Sequence, residues 1–225
     1  MNALDLYDDG SNLEGVASSA AEFLKEGKVL AYPTDTIYGL GADASFQKAC
    51  LRIREIKGRK EKKPFSVIVR DLAMAEKYVF FDDFSRAVFR KFLPGKFTFI
   101  LKSRKKLPLA VEGSKGTLAL RIPDHFFTKK LSGFFSRPII TTSVNLSGEL
   151  PLNWGTEIVD YFENHPPAPD LIVDAGRIGS EESPPKPSAV IDLSCDNPRI
   201  MRPGFLEGKK MLELLSELEA LKNKK

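Results

Sequence analysis

Apolar positions in the first thirty residues recur with two different spacings. Leu13, Val16, Ala17, Ala20, Ala21 and Leu24 return every three or four residues, which puts them on one face of a helix. Ser11 and Glu14 stand in capping-box positions at its start, and Gly27 stands just past its end. Residues 28–32 follow, apolar without alternation after Lys28 and stopping at Pro33, the pattern of a short buried strand. Similar runs predict strands over 65–69, 97–101, 118–122, 139–142, 171–174, 188–193 and 199–201. Helical spacing predicts helices over 45–57, ending at Gly58, then near 71–78 and 84–92. A last helix over 207–221 carries Met211, Leu214, Leu215 and Leu218 on one face. Strands and helices interleave along the whole chain, with only short Pro-rich loops at 166–169 and 184–187. This predicts an α/β fold: a single domain over 1–225, core about 15–205, with a twisted mixed β-sheet flanked by helices.

Composition narrows the function. The chain has 225 residues, 42% of them apolar, and a net charge of +4, too little to mark a nucleic-acid binder by charge alone. Cys50 and Cys195 are far apart, and neither has a partner at zinc-ligand spacing. His125 and His165 lie in unrelated contexts, so no metal site is expected. The first residues lack the features of a signal peptide, and no apolar run is long enough to span a membrane, so a cytoplasmic protein is expected.

The position of the charge says more than its sum. Between Arg52 and Lys63 seven of twelve residues are basic, opposed by Glu55 and Glu61, so this segment carries +5 and the remainder is near neutral. Lys57 and Arg59 flank Gly58 and can leave the helix end together, as a polyphosphate site requires. A solvated helix end and a nucleic-acid patch are the other readings, though no aromatic residue interrupts 52–63 to stack bases. Gly39 and Gly41 fit a loose dinucleotide pattern, but six residues separate them from the strand before, and no P-loop motif occurs. Thr34, Asp35 and Thr36 follow the first predicted strand, where they either orient a small polar substrate or cap a turn. Ser143 and Asn145, two residues apart after an apolar strand, point the same way if the backbone stays extended. Arg121 lies inside an apolar strand and must meet a carboxylate, structural or from a ligand. Arg202 ends the last strand in the same manner.

Taken in order, these pieces form a series. Tyr32-Pro-Thr-Asp-Thr-Ile-Tyr-Gly-Leu-Gly41 is followed by Lys57-Gly-Arg59, Lys63-Pro64, Leu93-Pro-Gly95 with Thr98, and Arg121-Ile-Pro123. Thr142-Ser-Val-Asn-Leu-Ser-Gly148, Pro187-Ser-Ala-Val-Ile-Asp192 and Arg202-Pro-Gly204 complete it. The series resembles the YrdC/Sua5/TsaC family, the threonylcarbamoyl-AMP synthases, over roughly residues 15–205.

That resemblance implies a nucleotidyltransferase joining L-threonine, bicarbonate and ATP into L-threonylcarbamoyladenylate, with release of pyrophosphate. A partner transferase complex then moves the threonylcarbamoyl group to adenosine 37 of tRNAs reading ANN codons, and direct tRNA contact is left open. The resemblance implies that Lys57 and Arg59 are catalytic and hold phosphates, with Lys63, Thr117, Ser143, Asn145 and Arg202 also on the nucleotide. It implies that Arg121 takes the threonine carboxylate, with Thr34, Thr36, Thr141 and Ser188 around the amino acid, and that Mg²⁺ rides on ATP. The basic loop 58–63 is expected to act as a lid over the nucleotide. The chain departs from the family pattern where a histidine often stands near Ile68 and where Ala189 replaces a hydroxyl residue. Val144 fills the middle of the Ser143–Asn145 triplet and is expected to face the core. The short stretch after Arg202 implies the single-domain type. The rival functions are a double-stranded-RNA or ribosome-associated binding protein, and an enzyme forming a carbamoyl adenylate from carbamoyl phosphate.

Overall fold

The computed structural model describes residues 2–7, 9–59, 63–112, 116–180 and 183–222. In chain order the elements are β1 (Asn2–Asp5), α1 (Leu13–Lys25), β2 (Leu30–Tyr32), β3 (Gly39–Gly41), α2 (Gln47–Ile56), β4 (Ser66–Ile68), α3 (Leu72–Ala75), α4 (Asp83–Phe92) and β5 (Phe97–Lys102). There follow α5 (Leu109–Glu112), β6 (Thr117–Arg121), α6 (Phe126–Phe135), β7 (Ile139–Ser143), α7 (Gly155–Asn164), β8 (Leu171–Asp174), β9 (Ala189–Asp192), β10 (Arg199–Arg202) and α8 (Lys209–Lys222). The strands form one mixed sheet in the order β1-β8-β2-β3-β7-β4-β6-β5-β9-β10. β1 with β8, β8 with β2, β4 with β6, and β5 with β9 are parallel. The other neighbours are antiparallel.

Both faces of the central strands are buried, which is why the sequence shows unbroken apolar runs there instead of alternation. Leu30, Tyr32, Ile68, Ile139, Leu171 and Val173 face α1 and α6. Ala31, Val67, Ile140 and Ile172 face the opposite way, into the larger cluster with Phe89, Phe99 and the residues Leu214 and Leu218 of α8. Val144 is fully buried in that second cluster, as expected from the Ser143–Asn145 triplet.

Several local expectations change. The Ser11–Glu14 capping box does not form. Asn12 takes the cap position instead; its Nδ2 donates to the Asp5 carbonyl and its Oδ1 accepts from Tyr7 N, tying α1 to β1. Glu14 pairs with Lys130 of α6. A true capping box opens α4, where Asp82 accepts from Ser85 N at 2.7 Å and Ser85 Oγ accepts from Asp82 N at 3.0 Å. On α8 the buried residues are Leu214 and Leu218, whereas Leu215 is 43% exposed. The glycine pattern at 39–41 is the strand β3, between β2 and β7. Its Gly41 lies against the Tyr32 ring so closely that an added Cβ would stand 2.5 Å from Tyr32 Cε1.

Candidate active site

The loop between β2 and β3, the C-terminal ends of β6 and β7, the start of β4, Thr98 of β5, and the β9–β10 hairpin converge on one cleft of about 290 Å³. Extended backbone at the strand ends turns polar side chains out of an otherwise apolar sheet.

At one end stands Arg121, 5% exposed, at the last position of β6. Its Nη2 donates to Asp35 Oδ1 at 2.5 Å, and its Nη1 donates to Thr36 Oγ1 at 3.2 Å. Asp35 Oδ2 in turn accepts from Asp124 N at 3.1 Å. Thr34 Oγ1 accepts from the amides of Thr36 and Ile37 and donates to the Ile37 carbonyl at 2.7 Å, so the loop holds itself in a tight turn. With that proton committed, the 2.9 Å contact between the two threonine hydroxyls runs from Thr36 to Thr34. Arg121 Nε and the Tyr32 hydroxyl are buried without a partner among the described residues. Burial pushes the Tyr32 phenol up to about 12, an effect that Thr141 and Arg121 beside it only partly oppose. The Tyr32 hydroxyl therefore stays protonated.

At the other end the loop after β7 is held from behind. Lys57 Nζ donates to the Ser143 carbonyl at 2.7 Å, the Asn145 carbonyl at 2.9 Å and Asn145 Oδ1 at 2.9 Å. All three ammonium donors are thus used, and Lys57 is 4% exposed. Burial, followed by the neighbouring Arg59 cation, lowers the Lys57 pKa to about 8. Ser143 Oγ donates to Asn145 Oδ1 at 2.5 Å, and Asn145 Nδ2 donates to the carbonyls of Leu146 and Glu149, each at 2.8 Å. Gly58, at φ +56°, ends α2 and redirects the chain so that Arg59 reaches the cleft over the Phe65 ring. Within electrostatic reach of Arg121, Arg202 donates to the Ser188 carbonyl at 3.1 Å and to Ser188 Oγ at 3.2 Å; Ser188 Oγ also meets Thr98 Oγ1 at 2.8 Å. Burial and the Arg121 cation both draw Arg202 below the usual arginine range. Gly204, at φ +62°, permits this packing, because a Cβ there would stand 2.4 Å from the Pro187 carbonyl oxygen.

The cleft therefore gathers Thr34, Thr36, Arg59, Arg121, Thr141, Ser143, Asn145, Ser188 and Arg202, from segments far apart in sequence. Three residues expected with them stand elsewhere. Lys57 lies behind the Ser143–Asn145 loop, Thr117 starts β6 opposite Lys102, and Lys63 adjoins Arg54, whose Nη2 reaches its carbonyl. The basic loop 58–63, expected as a lid, falls partly outside the described residues. Sequence reasoning treats Asp35 as a candidate substrate contact without identifying it as the carboxylate that Arg121 requires. It leaves out Ser66 and Glu149, which also line the cleft and sit in no distinctive motif.

The Sua5/YciO/YrdC family model, described as telomere recombination, matches residues 22–204. The chain belongs to this family. A threonylcarbamoyl-AMP synthase of Pyrococcus abyssi is 32% identical over 88% of the chain, which spans 57% of that relative's length. A putative threonylcarbamoyl-AMP synthase of Methanocaldococcus jannaschii is 34% identical, with 84% of this chain and 88% of that one aligned. The uncharacterised protein YciO of Escherichia coli is 32% identical, over 87% of this chain and 92% of its own. Among solved structures, P. abyssi Sua5 complexed with L-threonine superposes with a TM-score of 0.85 at 29% identity, over 97% of this chain and 61% of that one. E. coli YciO gives a TM-score of 0.79 at 29% identity, covering 93% and 97%. The family match thus spans every segment that contributes to the cleft from Thr34 to Arg202.

Proposed function

We propose that this family member is a threonylcarbamoyl-AMP synthase, making L-threonylcarbamoyladenylate and pyrophosphate from L-threonine, bicarbonate and ATP. The observation that carries the reading is the two-ended cleft. Arg121, ringed by hydroxyls, suits a small carboxylate, and Arg59 and Arg202 suit phosphates, beside the internally bonded Ser143–Asn145 loop. Relatives named for this activity support it.

The chemistry needs no protein nucleophile. The threonine amine attacks the carbon of bicarbonate, and loss of water leaves a carbamate. A carbamate oxygen then attacks the α-phosphorus of ATP as the bond to pyrophosphate breaks. A step of this kind depends on alignment and on neutralising charge. Arg121 holds the amino-acid carboxylate, while the hydroxyls of Thr34, Thr36, Thr141 and Ser188 surround the rest of the molecule. Arg59 and Arg202 balance the phosphates. Lys57 keeps the Ser143–Asn145 loop in shape from behind, which is how its three hydrogen bonds enter the reaction. Asp35 is committed to Arg121 and the Asp124 amide, and Glu149 is the one carboxylate among the described lining residues. This chemistry fits a Mg²⁺ ion that arrives on the triphosphate as part of the substrate, and not one caged by protein carboxylates.

The product is an activated acyl adenylate, so a transferase complex acting on tRNA is the fitting consumer. A cytoplasmic setting accords with two free cysteines, and no helix among the described residues is long and apolar enough to cross a membrane. Pyrophosphate release is the direct test. It is expected only when threonine, bicarbonate, ATP and Mg²⁺ are all present, and release independent of threonine would contradict the assignment.

A further inference from the structure

We propose that Asp35 is a positioning residue for amino-acid recognition: it fixes the orientation of the Arg121 guanidinium, and so decides which of its N–H groups face the incoming carboxylate, without touching the substrate itself. This rests on the proposed function, since it takes Arg121 as the carboxylate ligand.

The geometry comes from one connected chain. The Asp35 and Arg121 side chains are 4% and 7% exposed. Asp35 is not part of the cleft lining, whereas Arg121 is. Both Asp35 oxygens are engaged. Oδ1 accepts from Arg121 Nη2, and Oδ2 accepts from the backbone of Asp124, three residues beyond Arg121 in the turn leaving β6. The carboxylate therefore fastens the guanidinium to the same chain segment that carries it. Thr36 accepts from Nη1, which fixes the plane from a second side. Two contacts account for two of five guanidinium hydrogens and leave donors on Nη1, Nη2 and Nε for a second carboxylate. Nε is buried with no partner among the described residues, a costly arrangement that an arriving acceptor relieves.

Two physical effects predict opposite results when the Asp35 charge is removed. If Asp35 acts only as a nearby negative charge, its removal strengthens Arg121's attraction for any carboxylate. If it positions, its removal lets the guanidinium turn toward other buried acceptors, and threonine binding weakens. Asn is nearly isosteric but offers one acceptor oxygen where two donors, Arg121 Nη2 and Asp124 N, now each have one. It cannot satisfy both.

The test is a double-variant cycle read by calorimetry, with threonine and ATP titrated separately into Asp35→Asn, Arg121→Gln and the combined variant. Asp35→Asn is expected to weaken threonine binding at least tenfold and leave ATP binding within threefold. Because Asp35 acts through Arg121, adding Asp35→Asn to Arg121→Gln is expected to cost no further threonine affinity. The combined variant removes both buried charges, so it also tests the coupling if Asp35→Asn alone folds poorly. Unchanged or tighter threonine binding in Asp35→Asn, equal losses for both ligands, or additive losses in the cycle would overturn the proposal. If the unaltered protein binds ATP but no threonine, the proposed function falls, and this inference with it.

Discussion

Lys57 illustrates how far a single residue can be read from sequence. Its place after a helix and before Gly58 marks it as functional, and its charge suggests phosphate contact. What sequence does not show is that the lysine stem passes under the loop after β7 and spends all three donors on Ser143 and Asn145. Its pKa of about 8 has a consequence of definite sign. Between about 8 and the ordinary value of 10.5 the unfolded chain keeps a proton that the native chain releases, so native stability rises with pH across that window. The difference in stability between the unaltered protein and Lys57→Met, followed by urea titration from pH 7 to 10.5, is expected to grow with pH. A flat difference would show that Lys57 titrates alike in both states. At pH 7 the substitution takes the Lys57 donor from the Ser143 and Asn145 carbonyls, while Asn145 Oδ1 keeps Ser143 Oγ, and it is expected to destabilise by about 1–3 kcal/mol, with a rise in the ATP requirement. Asp35 and Arg121 give the complementary lesson. A buried arginine announces that a carboxylate must be near, but a partner 86 positions away is fixed only by the sheet order.

Elements were legible where burial was symmetric or one-sided and hidden where neither held. The runs that became β2, β4, β7 and β8 are apolar because the sheet is covered on both faces there, whereas β5 and β6 bury Phe99, Leu101, Leu118 and Leu120 in the larger cluster from one face only. β1 is a short, largely exposed edge strand, and nothing in Asn2–Asp5 marks it. The N-cap positions of α6 and α7 are His125 and Trp154, which make no side-chain cap, so the start signal that reveals α4 is missing. β3 was obscured by its glycines, which tertiary contact demands: Gly41 leaves room for the Tyr32 ring, and Gly39 keeps Thr141 Oγ1 3.3 Å from where a Cβ would stand. Gly41→Ala is therefore expected to displace Tyr32 and cost about 1–3 kcal/mol of stability. It should also weaken threonine binding, because the ring it displaces lies beside Thr141 and Arg121. Urea denaturation and threonine titration check this together. Stability within about 0.5 kcal/mol of the unaltered protein, the range of a surface substitution, would show that the strand relaxes freely.

At the scale of the molecule, one sheet carries two separately packed faces and a cleft where strand ends from across the chain meet. The α/β class and the mixed sheet followed from the interleaving of elements; the strand order did not, because it depends on which apolar runs pair at a distance. α8 closes the larger face through Leu214 and Leu218, and none of its residues lines the cleft. Leu218→Ala is expected to cost about 2–5 kcal/mol, the usual range for a buried leucine truncation, with threonine and ATP requirements unchanged in the fraction that remains folded. A selective change in either requirement would tie α8 to the cleft. The central claim is the reaction itself, and incubation with ATP, Mg²⁺, L-threonine and isotopically labelled bicarbonate followed by mass spectrometry tests it most directly. The account predicts an adenylate containing threonine and one labelled carbon, lost when threonine is omitted; ATP turnover with no label in any adenylate would contradict it.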